Sequence, residues 1–215
     1  MQPVWDLPLQ AAGIVINLDN GGRVRIRPAR TTDLAAIKAG YERLSEEARY
    51  MRFFTARSKL SDSLAVSLTD IDHKTHFAWA VFDPDRESEV GDDSGFGVAS
   101  ARLILDEDPR SAEAALTVID DYQRRGIGRF LVELLVATAA DVGAEVLRFE
   151  ILRQNRGMIA LIAGMGAVGH AIEGDRTVVE YRLAVPSSDE TQVPAGALYQ
   201  LLRHVASGLG DSDEN

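Results

Sequence analysis

The 215-residue chain contains no cysteine, which excludes disulfides, thiolate metal sites and acyl-cysteine intermediates together. No apolar run approaches the roughly 20 residues that a membrane-spanning helix requires. The start Met1-Gln2-Pro3-Val4-Trp5-Asp6 lacks the basic flank of a secretory leader, so a cytoplasmic protein with no membrane partner is expected. Positive charge is also scarce: 23 Lys plus Arg stand against 33 Asp plus Glu, a net charge of −10. That balance argues against a general nucleic-acid binder. Most of the acidity is the ordinary solubility of a carboxylate-bearing surface, concentrated in the stretch 83–93 and the tail Asp211-Ser212-Asp213-Glu214. Repeats and low-complexity tracts are missing, and the length and hydrophobic content suit one core, hence a single domain over 1–215.

What is present reads as an α/β (α+β) chain, its strands and helices in mixed order. Val24 and Ile26 alternate with arginines, giving a first strand over Gly22–Arg27 that stops at Pro28. Thr31 or Thr32 can cap a helix with Leu34, Ile37, Tyr41 and Leu44 on one face, and Ser45 can cap the next, with Glu46 and Glu47 in its first turn. Phe77–Phe82, Phe96–Leu105 and Glu113–Ile119 read as strands. Phe130, Leu131, Leu134, Leu135 and Thr138 recur at helical spacing up to Gly143. A strand over Val146–Ile151, a short helix over 155–163 and a strand over Thr177–Val185 follow. Ser187-Ser188-Asp189-Glu190 reads as a linker and Ala197–Val205 as a last helix.

The most informative stretch is Gln123-Arg124-Arg125-Gly126-Ile127-Gly128, followed by Arg129, which joins a strand to an amphipathic helix. Glycines let the backbone approach an anion, and the first helical N–H groups are left without intrahelical partners. A dinucleotide fingerprint needs a third glycine where Leu131 stands, and a Walker loop needs a Gly-Lys-Ser/Thr ending that is missing. The segment resembles instead the Gln/Arg-x-x-Gly-x-Gly/Ala signature of the GCN5-related N-acetyltransferases (GNAT). The run from Asn155 to Gly166 is similar to that family's second CoA-side helix. Arg25–Arg30 and Arg43–Phe54 look like the opening of its bacterial protein-lysine acetyltransferase (Pat) branch. The resemblance spans about residues 23–185, leaving 1–21 and a C-terminal extension over 186–215 outside.

The resemblance implies a GNAT fold, a mixed central sheet flanked by helices, with acetyl-CoA as co-substrate at splayed strands. The implied cofactor-binding set is Thr117, Val118, Ile119, Gln123, Arg124, Arg125, Gly126, Ile127, Gly128, Arg129 and Asn155, with no metal. Asn155 reads equally well as a ligand to the CoA arm or as a helix N-cap. A free lysine has a pKa of about 10.4, so an amine acceptor must lose a proton before it attacks. Period-two alternation puts Glu113, Ala115 and Thr117 on one face of their strand and Ala114, Leu116 and Val118 on the other. By resemblance Glu113 is the general base, helped by partial burial. A strand bulge and the Val118 N–H are expected to serve the thioester carbonyl. The family's usual acid, a Tyr seven residues after the Asn, is Ile162 here, leaving Tyr122 or Tyr181 as substitutes. His73 and His76 lack metal-ligand spacing, and Trp5 and Trp79 read as core anchors. The expected activity is direct acetyl transfer to a protein lysine. A small-amine acetyltransferase and a non-catalytic acyl-CoA-binding domain are the alternatives.

Overall fold

A computed structural model describes residues 13–18, 22–55, 57–88, 91 and 95–186. Trp5, the linker at 187–190 and the helix expected over 197–205 therefore lie outside the described residues. Eight strands form one sheet, β1 (Ile14–Asn17), β2 (Arg23–Pro28), β3 (His76–Asp83), β4 (Phe96–Leu105), β5 (Ser111–Val118), β6 (Val146–Leu152), β7 (Val168–Ile172) and β8 (Asp175–Ala184). Their order is β1-β2-β3-β4-β5-β6-β8-β7. Every neighbouring pair is antiparallel except β5 and β6, which run parallel because α4 (Ile127–Val142) carries the chain across between them. This is the mixed α/β class that the element order predicts.

Pairing between β5 and β6 covers only Ser111↔Val146, Ala112↔Leu147 and Glu113↔Arg148, after which the strands part. No bulge accompanies the split. The β4–β5 register runs unbroken from Leu105↔Ala112 to Ala99↔Val118, and the irregularity nearby lies between Val81 and Phe82 against β4.

The sheet's two faces differ. Ala112 and Ala114 turn into the main core with Leu131, Leu134 and Leu135 of α4. Trp79 is 1% exposed and donates its indole N–H to Thr138 Oγ1 of α4 at 3.2 Å, a core anchor as expected. The other face carries α1 (Leu34–Glu42), α2 (Glu46–Phe53) and α3 (Asp62–Thr69). Ahead of α1, Arg27 is fully buried and meets Asp33 in a bidentate pair, 2.8 and 2.9 Å, with its guanidinium over the Phe82 ring. Ser45 caps α2 by accepting from Ala48 N–H and donates its own hydroxyl to Asp120 at 2.7 Å. The start of α2 is thereby tied to the chain just past β5.

Candidate active site

The parted ends of β5 and β6 open a cleft of about 790 Å³, within the roughly 300–1,000 Å³ of small-molecule sites. Glu113, Thr117, Val118, Gln123, Arg124, Gly126, Gly128, Arg129 and Asn155 all line it. Residues far apart in sequence, such as Phe54 and Glu150, share its walls because α2, β5, α4, β6 and α5 (Arg156–Ala163) meet there.

Hydrogen-bond direction along β5 decides which backbone groups a ligand can use. Ile119 N–H donates to Val98 of β4 at 3.0 Å. Donors alternate sides along a strand, so Thr117 N–H also faces β4, while Leu116 and Val118 N–H face the gap that β6 vacates. The Val118 carbonyl confirms that direction, since it accepts from Gln123 Nε2 at 3.2 Å across the gap. Ile119 and the Thr117 N–H are thus withdrawn from the expected backbone donors, and Leu116, which the sequence reading passed over, enters. Only the strand's register reveals this.

The glycine loop behaves differently at its two glycines. Gly126 sits at φ +82° where an added Cβ would touch nothing, so the glycine is there for its left-handed backbone. At Gly128 a Cβ would come within 3.3 Å of Leu161 Cδ2, so this glycine also permits α4 to approach α5. Arg124 has φ +58°, an uncommon backbone for a side chain and one concentrated at functional loops. Arg124 and Arg129 are exposed at the cleft, with Arg129 Nε held by Glu133 at 2.9 Å. Arg125 instead lays its guanidinium over the Tyr122 ring, 4.6 Å from its centroid, and Ile127 is a core residue at 1% exposure. Neither side chain lines the cleft. Asn155 caps α5, its Oδ1 accepting from Met158 N–H at 3.1 Å, and the residue also lines the cleft.

Glu113 is exposed in the cleft, not partly buried as expected, with exposed Glu47 and Glu150 among the other acidic side chains there. Charges of both signs line the cleft, Arg52, Arg124 and Arg129 as well as Glu47, Glu113, Asp120 and Glu150. Ile162 is fully buried. Tyr122 donates its hydroxyl to Asp83 at 2.6 Å, which together with burial pushes its pKa up, and Tyr181 packs against the core from β8. Neither tyrosine lines the cleft, so neither stands where a leaving thiolate would be.

The histidine segment is a structural turn. Asp72 accepts from the N–H groups of Lys74, Thr75 and His76 and from the Thr75 hydroxyl, which drives its pKa far below the usual carboxylate range. His76 pairs Nδ1 with the Asp70 carbonyl at 2.6 Å, and burial lowers its pKa. Among the described residues no cluster of ligands suited to a metal is found, and no helix is long and apolar enough to cross a membrane.

Known proteins resemble this chain in sequence and in fold. The model for an acetyltransferase (GNAT) domain matches residues 23–168. The acetyltransferase Pat of Mycolicibacterium smegmatis is 31% identical over 177 residues, covering 82% of this chain and 50% of the relative, so the chain spans about half of that protein. The GNAT domain of S. lividans PAT superposes with a TM-score of 0.68 at 24% identity, covering 80% of this chain and 96% of that one. YncA of Salmonella typhimurium, solved with its cofactor acetyl-CoA, superposes with a TM-score of 0.57 at 19% identity, covering 80% and 98%. With a family match across most of its length and a cleft built from the signature loop, the chain belongs to the GNAT acetyltransferases, the acetyl-CoA-dependent GCN5-related family.

Proposed function

We propose that the protein transfers an acetyl group from acetyl-CoA directly to the ε-amino group of a protein lysine. The observation that carries this reading is that one strand, β5, presents an exposed carboxylate and unpaired backbone donors to a single open cleft. The pyrophosphate rests at the N-terminus of α4 among Gly126, Gly128, Arg124 and Arg129, where helix donors and cationic side chains converge. The pantetheine arm takes the place of the missing β6 pairing and bonds to β5 as a strand would.

Reach decides which donor serves the carbonyl. At about 3.3 Å per residue, Val118 lies roughly 17 Å along the strand from Glu113 and Leu116 roughly 10 Å. A glutamate working directly or through one water fits the shorter span. We therefore assign the thioester carbonyl to Leu116 N–H and a pantetheine amide to Val118 N–H, revising the expectation that placed the oxyanion at Val118. Glu113 takes the ammonium proton and releases it to solvent through the open cleft, the neutral amine attacks, Glu113 then takes the second amine proton from the tetrahedral intermediate, and CoA leaves as the thiolate. A lysine's flexible stem carries its amine into such an open cleft, past the acidic side chains of Glu47 and Glu150, whereas a small amine needs a more enclosed pocket.

Glu113→Gln is expected to lower kcat by on the order of a hundredfold, leave acetyl-CoA affinity intact and recover partly at high pH. Labelled acetyl-CoA with a cell lysate, beside polyamines, aminoglycosides and amino acids, tests the acceptor. Label confined to small amines would replace the lysine reading with the small-amine one, and binding without any turnover would support the non-catalytic domain.

A further inference from the structure

Next to the acceptor end of the cleft lies a second hollow of about 90 Å³, between α1 and the sheet. Its floor is a row of short side chains, since Ala80, Ser100 and Thr117 are neighbours across β3, β4 and β5. Thr117 and Arg52 line both this hollow and the cleft.

Two guanidiniums meet here with no carboxylate bonded to either among the described residues. Arg102, the cross-strand neighbour of Ala115, reaches only the Leu68 carbonyl at 3.4 Å and His76 Nε2 at 3.3 Å, both at the outer limit of a hydrogen bond. Arg52 Nε is sealed from solvent with no partner, while its guanidinium lies over the Phe53 ring at 4.9 Å. Among the described residues neither arginine has a carboxylate within salt-bridge distance. Burial lowers Arg52 to about 10, against which Glu113 acts, and burial plus the charge of Arg52 lowers Arg102 to about 9. Two like charges, both partly buried and with donors unused, form a receptor short of counter-charge. Guanidinium geometry matches a carboxylate.

We propose that Arg52 and Arg102 form a subsite for the distal carboxylate of a dicarboxylic acyl group, so that the cleft takes a short acyl-CoA such as succinyl-CoA as donor. The inference rests on the acyl-CoA reading given above. Position favours the acyl chain: the carbonyl assigned to Leu116 N–H lies on the side of β5 away from β4, about two strand spacings or roughly 10 Å from the Arg102 backbone, a span that a four-carbon diacid and a long arginine side chain bridge together. Size favours it too. A hollow of about 90 Å³ exceeds what a single water needs and suits a few methylenes with a carboxylate, whereas an acidic side chain on a protein acceptor stays at the rim of the larger cleft. The transfer itself is unchanged. The amine lone pair forms the C–N bond, the C–S bond breaks with its electrons on sulfur, Glu113 receives the amine proton, and the distal carboxylate is carried over intact.

Full-length protein is assayed with acetyl-, butyryl- and succinyl-CoA, butyryl-CoA matching the chain length without the charge. Kd by calorimetry and kcat/KM with a lysine-peptide panel are both read. Succinyl-CoA is expected to exceed butyryl-CoA by roughly tenfold, as one charged hydrogen-bonded pair supplies. Arg102→Gln should collapse that ratio within the same folded sample, and Arg102→Lys should restore part of it. Succinyl-CoA binding no better than butyryl-CoA, or a ratio unmoved by Arg102→Gln, overturns the subsite. A preference for acidic residues beside the target lysine with acetyl-CoA, abolished by Arg102→Gln without any succinyl preference, overturns it in favour of an acceptor carboxylate. Failure of acetyl transfer to every peptide overturns the lysine reading instead, while the Kd comparison still decides the subsite.

Discussion

Removing Asp33 takes the bidentate carboxylate from a fully buried guanidinium. Arg27 is 0% exposed, its two terminal nitrogens meet Asp33 at 2.8 and 2.9 Å, and Asp33 Oδ2 also accepts from Arg30 N–H at 2.8 Å. Asp33→Ala leaves a buried guanidinium and a backbone donor short of a partner, and breaking one side of a buried ion pair costs about 3–5 kcal/mol. For a chain of this size, each kcal/mol moves Tm by about 2–4 °C, so a fall of roughly 10 °C is expected in calorimetry, with urea denaturation giving the free energy directly. The double variant Arg27→Met/Asp33→Leu removes both charges and should recover most of the loss, because a matched apolar pair is often no worse than a buried salt bridge. A loss below about 1 kcal/mol for Asp33→Ala, or a double variant as unstable as the single, would show that the pair does not hold the entry to α1 as reasoned here.

At Gly126, φ +82° with space for a Cβ separates backbone strain from steric contact. Asn, which tolerates that conformation, should keep more acetyl-CoA affinity than Ala, and Ala more than Val; calorimetry giving Val the wild-type affinity would remove the loop from the binding site. Asp106 is held below the usual carboxylate range chiefly by its bond to Arg148, and Glu180 is lowered by its bonds to Arg182 and to the same Arg148. Depressed carboxylates stabilise the fold above their unfolded values and lose that contribution as pH falls through the folded ones, so stability should drop below about pH 4. Asp106→Asn should flatten that drop, and an unchanged acid-unfolding curve would contradict the assignment.

Periodicity made α4 and its glycine loop legible, because a sixteen-residue helix with its core face at 3.6 spacing has few alternative readings. The three elements missed were weakly patterned. β7 is exposed along nearly its whole length, so no alternation marks it, and β1 is a four-residue edge strand. α3 buries only Ala65 and Leu68 on its own turns. Site chemistry divided along the same line. Residues carried by one local motif, such as Gly126, Arg124 and Asn155, come together in the cleft. The directions of Leu116, Val118 and Ile119 N–H depend on a register set by β4, and the approach of Arg52 on α2 to Arg102 on β4 joins positions fifty residues apart. No local pattern encodes either.

Burial of Ile162 bears on how the reaction ends. Among the described residues that line the cleft there is no tyrosine, histidine, serine or cysteine to protonate the departing sulfur. Collapse of a tetrahedral intermediate expels whichever group departs more readily. A thiol of pKa about 8.5 leaves as its anion far more readily than an amine that has lost its proton, whose departure would require an amide anion. With Glu113 as the proposed base, proton removal commits the intermediate to C–S cleavage without any acid, and the thiolate is free to take a proton from solvent in so open a cleft. The pH dependence of kcat with acetyl-CoA should accordingly rise and level off. A tyrosine acid of ordinary pKa would add a falling limb near pH 10, and one tuned by its surroundings would bring that limb lower. A reproducible fall in kcat between about pH 8 and 10, in protein shown to remain folded across that range, would reveal a general acid and refute this account of Ile162.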